Sequence, residues 1–351
     1  MPFQVTDLGA VYAHGFDTLI DVRSPAEFAE DHVPGAVNLP VFSNAERAEV
    51  GTVYVQDSPF RARKIGAAIL ARNAARHIEG PLAEKDGGWR PLVYCWRGGQ
   101  RSGAFATILG QIGWRAETIK GGYQAYRRAV VDLLYEKPVP APIILLDGYT
   151  GTAKTDVLLR LKAEGHQVID LEGLANHRGS VLGGLGEQPA QKMFESLLAH
   201  EVHGLDPKRP VLIEAESSKI GNLNLPPRLF EAMKAAPRIR IDAPLAARAA
   251  YLARAYRDVT VDVPELSDRL QRLVPIQGHD RVNAWCAMAE DAAFEDLAAE
   301  LMHHHYDARY DKSRAKADGA TKVRIEADDL GEAALDDVAR RVARAAAGLA
   351  P

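Results

Sequence analysis

The stretch Pro91-Leu92-Val93-Tyr94-Cys95-Trp96-Arg97-Gly98-Gly99-Gln100-Arg101-Ser102 places a cysteine where a short apolar strand hands over to a helix. The helix shows in Phe105, Ile108, Leu109 and Ile112, which share one face. Successive backbone N–H groups in a tight glycine-containing loop form an anion nest, and the helix dipole adds partial positive charge. Arg97 and Arg101 reinforce that field. A thiol at the head of such a loop is expected to ionise more readily than an ordinary cysteine. The same field would hold a persulfide or perselenide anion hung on the sulfur. The residues expected to carry this chemistry are Cys95, Arg97, Gly98, Gly99, Gln100 and Arg101. The competing reading is a buried cysteine that acts only as a small hydrophobe.

A second chemical stretch begins at Ile143. The apolar run Ile143-Ile144-Leu145-Leu146 leads into Asp147-Gly148-Tyr149-Thr150-Gly151-Thr152-Ala153-Lys154-Thr155, followed by a helical pattern with Val157, Leu158 and Leu161. Strand, glycine-containing loop, lysine and hydroxyl are the parts of a phosphate loop, with backbone amides and lysine around phosphate oxygens and a hydroxyl available for magnesium. Gly148, Thr150, Gly151, Thr152, Lys154 and Thr155 are therefore the expected phosphate-binding residues. Ala153 stands where that pattern has glycine. If the position requires a positive φ, alanine costs about 1 kcal/mol or more, which leaves a degenerate loop as the alternative.

Acids follow at regular places. Val168-Ile169-Asp170-Leu171-Glu172 reads as a second strand, residues 173–180 as a polar loop containing His177 and Arg178, and residues 211–217 as a third strand carrying Glu214 and Glu216. Open parallel sheets bind ligands at the carboxyl ends of their strands. Lys154, Glu172, His177, Arg178, Glu214 and Glu216 are thus expected to converge on a diphosphate or on magnesium, each with the plainer alternative of a surface loop residue.

The elements that position these residues alternate strand with helix. Residues 18–23 form an expected strand, and Ser24-Pro25-Ala26-Glu27 has the form of a capping box opening a helix. A turn and short strand follow over 31–40, a helix over 60–77, and a strand over 117–120. Glu136-Lys137-Pro138-Val139-Pro140-Ala141-Pro142 is a stiff linker. Beyond it, strands are expected at 238–242 and 322–325, an alanine- and arginine-rich helical region at 245–311, and a closing helix with Leu335, Val338 and Val342 inward. Strands alternating with helices imply α/β folds with parallel sheets.

Composition narrows the class. A chain of 351 residues suggests two or three domains, and its net charge of −4 does not announce a nucleic-acid binder. Arg61, Arg63, Lys64, Arg72 and Arg76 read, on charge alone, as the solvated face of an amphipathic helix. No apolar run approaches the roughly 20 residues that span a bilayer, and the start lacks the pattern of a signal peptide, so a cytoplasmic location without membrane partners is expected. Two cysteines, Cys95 and Cys286, suggest neither a disulfide framework nor a zinc site, and Cys286 beside Trp285 reads as packing. His303, His304 and His305 are adjacent and cannot share a helix face, so no tightly bound metal is expected there.

Asp21-Val22-Arg23-Ser24, the turn His32-Val33-Pro34-Gly35-Ala36 and the Cys95 loop together resemble a rhodanese domain over residues 1–135. That resemblance implies a loop cysteine that carries a chalcogen as a persulfide, with Asp21 and Arg23 in the structural part, as a buried ion pair. Linker 136–142 would join it to a P-loop NTPase-like parallel-sheet domain, 143–351, that includes the helical region. The combination resembles the tRNA 2-selenouridine synthase family, through the Cys95 loop, the Gly148 to Thr155 loop, Asp170 to Ser180, Glu214-Ala215-Glu216-Ser217 and His305-Tyr306-Asp307. It implies a selenotransferase and geranyltransferase acting on tRNA. Geranyl diphosphate would alkylate the sulfur of wobble 2-thiouridine, and selenium from selenophosphate would then replace it. Cys95 would serve selenation and the Lys154 loop geranylation, with magnesium at the diphosphate and a selenophosphate-generating enzyme as a further partner. Two other readings stand beside it: a sulfurtransferase coupled to an ATP-dependent reaction without RNA, and a non-catalytic module that binds phosphorylated ligands through both loops.

Overall fold

The computed structural model describes residues 2–180, 183–184, 186–307 and 321–349; residues 308–311 of the expected helical region lie outside them. The chain forms two compact units, Met1–Lys137 with Pro189–His203, and Pro138–Gln188 with Gly204–Pro351.

The first unit is built on β1 (Phe3–Gln4), β2 (Thr18–Asp21), β3 (Val37–Asn38), β4 (Pro91–Tyr94) and β5 (Glu117–Lys120). They lie side by side in the order β1-β5-β4-β2-β3, every pairing parallel. All four residues of the central β4 are buried, as a parallel strand covered on both faces requires. Helices α1 (Leu8–Tyr12), α2 (Pro25–Glu30), α3 (Asn44–Gln56), α4 (Pro59–Glu79), α5 (Gln100–Ile112) and α6 (Gly122–Val131) connect the strands. The capping box forms at α2: Ser24 accepts from the Glu27 amide and the Glu27 carboxylate accepts from the Ser24 amide. Asp21 and Arg23, fully buried, make the expected ion pair at 2.6 Å. Sequence patterning does not announce α3, because none of its residues is buried and no apolar stripe marks it.

The second unit has β6 (Ile143–Gly148), β7 (Gln167–Ile169), β8 (Val211–Glu214), a small antiparallel pair β9 (Lys219–Ile220) and β10 (Leu223–Asn224), then β11 (Arg238–Asp242) and β12 (Thr321–Glu326). Its parallel sheet runs β12-β11-β6-β8-β7, with β6 buried throughout. Helix α7 (Lys154–Ala163) follows the phosphate loop and α8 (Leu171–Ala175) follows β7. The second strand ends earlier than its apolar pattern suggests. Asp170 caps α8 by accepting from the Gly173 amide, so Glu172 lies in a helix's first turn. The closing helix Glu332–Leu349 buries Leu335, Val338 and Val342. Helices Leu245–Ala255, Val263–Gln271, His279–Glu290 and Phe294–Leu301 make up the helical region, with a core around Leu270, Val282 and Trp285 in which Cys286 packs.

One helix of the expected second domain departs from it. Helix α9 (Gln191–His203) belongs to the first unit. Its Glu195 pairs with Arg127 and accepts from the Tyr135 hydroxyl at 2.8 Å. The ring of Tyr12 meets that of His200 edge-on at 4.6 Å. Periodicity places apolar residues on a helix face but does not say which unit that face packs against.

Candidate functional site

Cys95 follows β4 directly, and its sulfur is buried under the first turn of α5. The Ser102 hydroxyl lies 3.2 Å from Sγ, and the Gly99 and Ser102 amides also hydrogen-bond to it. Burial pushes the thiol pKa up, but these hydrogen bonds and the charge of Arg101 outweigh it and hold the thiol below its ordinary range. Arg101 does not present a free guanidinium to the sulfur: it is bound to the Glu27 carboxylate through bonds of 2.7 and 3.1 Å. Glu27 thus caps α2 and fixes Arg101, a second duty that the capping pattern does not reveal. Arg97 and Gln100 are exposed at the rim.

Two glycine positions hold the loop in place. Gly98 has φ +64°, and a β-carbon there would lie 2.2 Å from the Ile119 carbonyl oxygen. Gly122, at φ +54°, faces it: a β-carbon there would lie 2.2 Å from the Cys95 carbonyl oxygen. The Tyr123 amide donates to the Cys95 carbonyl at 2.9 Å, and the Gln124 amide to that of Trp96 at 3.1 Å. The start of α6 is therefore the platform of the cysteine loop. Gly121 and Gly122 escaped the sequence reading, although a Gly-Gly pair directly after a strand is a visible signal for close backbone approach.

In the second unit the phosphate loop is folded around its own lysine. Lys154 Nζ donates to the Gly148 and Tyr149 carbonyls at 3.1 and 3.4 Å, and Thr152, fully buried, donates to Tyr149. Ala153 takes φ +57°, ψ +30°, the left-handed conformation for which glycine is the usual residue. A β-carbon on Gly148 would meet Thr152 Oγ1 at 2.3 Å, which explains glycine there. Gly151 has φ +83° and backs onto Arg248 of the helical region. Arg248, buried, donates to the Thr150 carbonyl at 3.2 Å and pairs bidentately with Asp307 at 3.0 and 2.8 Å. The His305-Tyr306-Asp307 stretch is thereby tied to the phosphate loop.

The expected acids reach this place in different ways. Thr155 donates to Glu172 at 2.9 Å. A β-carbon on Gly179 would lie 2.8 Å from Glu172 and 3.1 Å from Glu216, so the two carboxylates converge against that glycine. Burial, with the neighbouring Glu216 charge, pushes Glu172 up to about 7 despite Lys154 and Thr155. Burial also raises Glu216, against Lys154. Glu214 lies at the strand end but beneath the surface: it accepts the Glu172 amide at 2.8 Å and is almost fully buried. It positions Glu172. His177 turns back to accept the Gly179 amide at 3.0 Å. Arg178 pairs with Asp258 and lies over the Tyr256 ring, 4.6 Å from its centroid.

A cavity of about 400 Å³ is lined by residues 150–156, Glu172, Arg178, Gly179, Glu216 and neighbours; Gly148, His177 and Glu214 do not line it. Against it lies a smaller apolar recess of about 60 Å³, walled by Leu252, Val259, Leu266, Leu297, Leu301 and Met302 among others. Thr150, Ser180, Leu252, Tyr256 and Tyr306 wall both. Among the described residues, no group of three or more His, Cys, Asp or Glu side chains is placed to hold a metal ion.

Residues 7–129 match the family model described as a rhodanese-like domain, and residues 141–269 that described as tRNA 2-selenouridine synthase AAA domain. A tRNA 2-selenouridine synthase of Bdellovibrio bacteriovorus is 38% identical over 245 residues, 66% of this chain and 62% of that protein. One from Shewanella loihica is 35% identical over 247 residues, 69% of this chain and 65% of its own length. One from Hahella chejuensis is 36% identical over 304 residues, covering 83% of this chain and 72% of that protein. The matched stretch thus spans just under two thirds of the first two relatives.

Proposed function

Since the chain belongs to the tRNA 2-selenouridine synthase family, we propose that it replaces the sulfur of a wobble 2-thiouridine in tRNA by selenium through an S-geranylated intermediate. The observation that carries the two-step reading is the pairing of a phosphate cavity with an apolar recess across shared walls. A diphosphate would sit among the loop amides and Lys154. The first carbons of a prenyl chain would run between Tyr256 and Leu252, with only its end in the recess, which is too small for the whole chain. A nucleotide would instead need polar partners for its base there, and although Thr150, Ser180, Tyr256, Thr260 and Tyr306 stand in its wall, the surface that the recess exposes is almost entirely apolar.

In this scheme the 2-thio sulfur attacks the first carbon of geranyl diphosphate, the carbon–oxygen bond breaks and diphosphate leaves. Lys154 and the loop amides stabilise the charge that builds on the leaving group. Thr155, Glu172 and Glu216 are hard oxygen donors suited to magnesium, whose remaining ligands would be diphosphate and water. When bound, the ion would neutralise diphosphate charge. In the second half, the selenium of selenophosphate adds at carbon 2 of the base, the geranylated sulfur departs as geranylthiol, and water cleaves the phosphorus–selenium bond to release phosphate. Cys95 serves that half: the amide-lined loop around its thiolate would hold the selenophosphate anion while its selenium attacks.

The test is nucleoside mass spectrometry of 2-thiouridine tRNA treated with Cys95→Ala or Lys154→Ala enzyme. Cys95→Ala should accumulate S-geranyl-2-thiouridine without selenouridine. Lys154→Ala should leave 2-thiouridine unchanged yet convert tRNA that is already geranylated. Loss of geranylation but not selenation in the cysteine variant would overturn the division of labour. Magnesium-dependent ATP turnover without RNA would favour a sulfurtransferase coupled to an ATP-dependent reaction.

A further inference from the structure

The first unit carries a second cavity that the proposed chemistry leaves unused. A groove of about 540 Å³ lies between α3 and α4 and ends at the first turn of α5, where Gln100 and Arg101 form part of its wall. This volume is in the range of small-molecule sites. Its floor is apolar, from Phe42, Val50 and Leu70, and its rim carries Arg47, Tyr54 and Arg63. Among the described residues that line it, three are arginines and none is an acid. Arg101 and Arg47 share the Glu27 carboxylate, at 2.7 and 3.8 Å. Arg63 is exposed and, among the described residues, its side chain donates to its own helix, at the Pro59 carbonyl. Tyr54 keeps 55% of its surface exposed on a helix that buries no residue.

An exposed aromatic ring among arginines over an apolar floor is the combination that binds an unstacked base and its phosphate. Helix α4 extends the positive charge: its own sequence carries Arg61, Arg63, Lys64, Arg72 and Arg76 against Glu79, although Arg61 is paired with Asp57 and Arg72 faces Glu46. The groove also ends on the turn whose Gly99 and Ser102 amides hold the Cys95 sulfur. We propose that this groove receives a single splayed-out nucleotide of the RNA substrate, its base on Tyr54 and its phosphate facing Arg63. The proposal rests on the reading that the substrate is tRNA, and it brings the base to the cysteine loop.

The experiment is a fluorescence titration of the full chain with an anticodon stem-loop RNA bearing 2-thiouridine, repeated over a range of salt. Tyr54→Ala should weaken binding by roughly tenfold, the usual size of one lost base stack. Arg63→Glu should weaken it similarly and reduce the slope of log affinity against log salt by about one. Arg72→Glu, on the other side of α4, should change affinity by much less than Arg63→Glu. Rapid alkylation of Cys95 by iodoacetamide in each variant reports that the cysteine loop is intact. Wild-type affinity and slope in both groove variants would overturn the groove while leaving the tRNA reading standing. A wild-type chain that binds no RNA would sink the tRNA reading itself.

Discussion

Gly122 stands so close to Cys95 that a β-carbon on it would lie 2.2 Å from the Cys95 carbonyl oxygen, inside any permitted contact. Two glycines, Gly98 and Gly122, let two backbones touch there, and both take positive φ. The cysteine loop is therefore shaped from outside its own sequence. Gly122→Ala should cost the first unit more than about 3 kcal/mol, combining left-handed strain with a backbone clash. In a variant that still folds, mass spectrometry after iodoacetamide should show Cys95 reacting no faster than Cys286. Unchanged stability and reactivity would show that the α6 start is not the platform.

The depressed Cys95 pKa rests largely on Ser102. Burial opposes ionisation, and the hydroxyl and two amides overcome it. Removing the hydroxyl in Ser102→Ala should take away about 1 kcal/mol of thiolate stabilisation, a fivefold change in ionisation equilibrium. The pH profile of alkylation should then move upward by nearly a unit. Because the folded pKa lies below the unfolded one, the linked stability is present above the unfolded value and disappears as pH falls through the folded value. Ser102→Ala should lose most stability at alkaline pH. An unmoved profile would assign the shift to the amides alone.

Ala153 occupies a glycine conformation without being glycine. Left-handed backbone costs alanine about 1 to 2 kcal/mol. Its methyl group is buried in the core of the second unit, worth about 0.8 kcal/mol, and glycine would add a further entropic cost of about 0.5 to 1 kcal/mol. These effects nearly cancel. Ala153→Gly should change stability by less than about 1 kcal/mol, whereas β-branched Ala153→Val should cost well over 2 kcal/mol. Chemical denaturation of the two variants checks the balance, and a large gain from glycine would mean that the strain dominates.

Arg127 joins α6 to α9 in the first unit. It pairs with Glu195 and lies 3.9 Å from Asp31, both carboxylates buried. Arg127→Ala would leave them without their cation, at a cost of about 3 to 5 kcal/mol. Burial already raises the Asp31 pKa, so protonation should relieve part of that cost and the loss should shrink as pH falls through the raised value. Hydrogen exchange over residues 189–203 should accelerate. Unchanged protection there would show that α9 is held by its apolar face alone.

Local order was legible in the sequence because it depends on neighbours along the chain. The capping box at Ser24, the strand that enters the Cys95 loop and the phosphate loop follow from residue type and spacing over a few positions, whereas the left-handed backbone at Ala153, which the sequence left open, was settled by the structure. The convergence of Lys154, Glu172 and Glu216 was also readable, since strand ends of a parallel sheet meet on one edge. Tertiary structure alone decided which of the acids faces the cavity, burying Glu214 behind Glu172, because depth depends on neighbouring strands that lie far away in sequence. It also packed α9 against α1 and α6 of the first unit, tied Arg101 to Glu27 and set Gly122 under Cys95. Each of these depends on complementary surfaces meeting across long stretches of chain, which local periodicity does not encode.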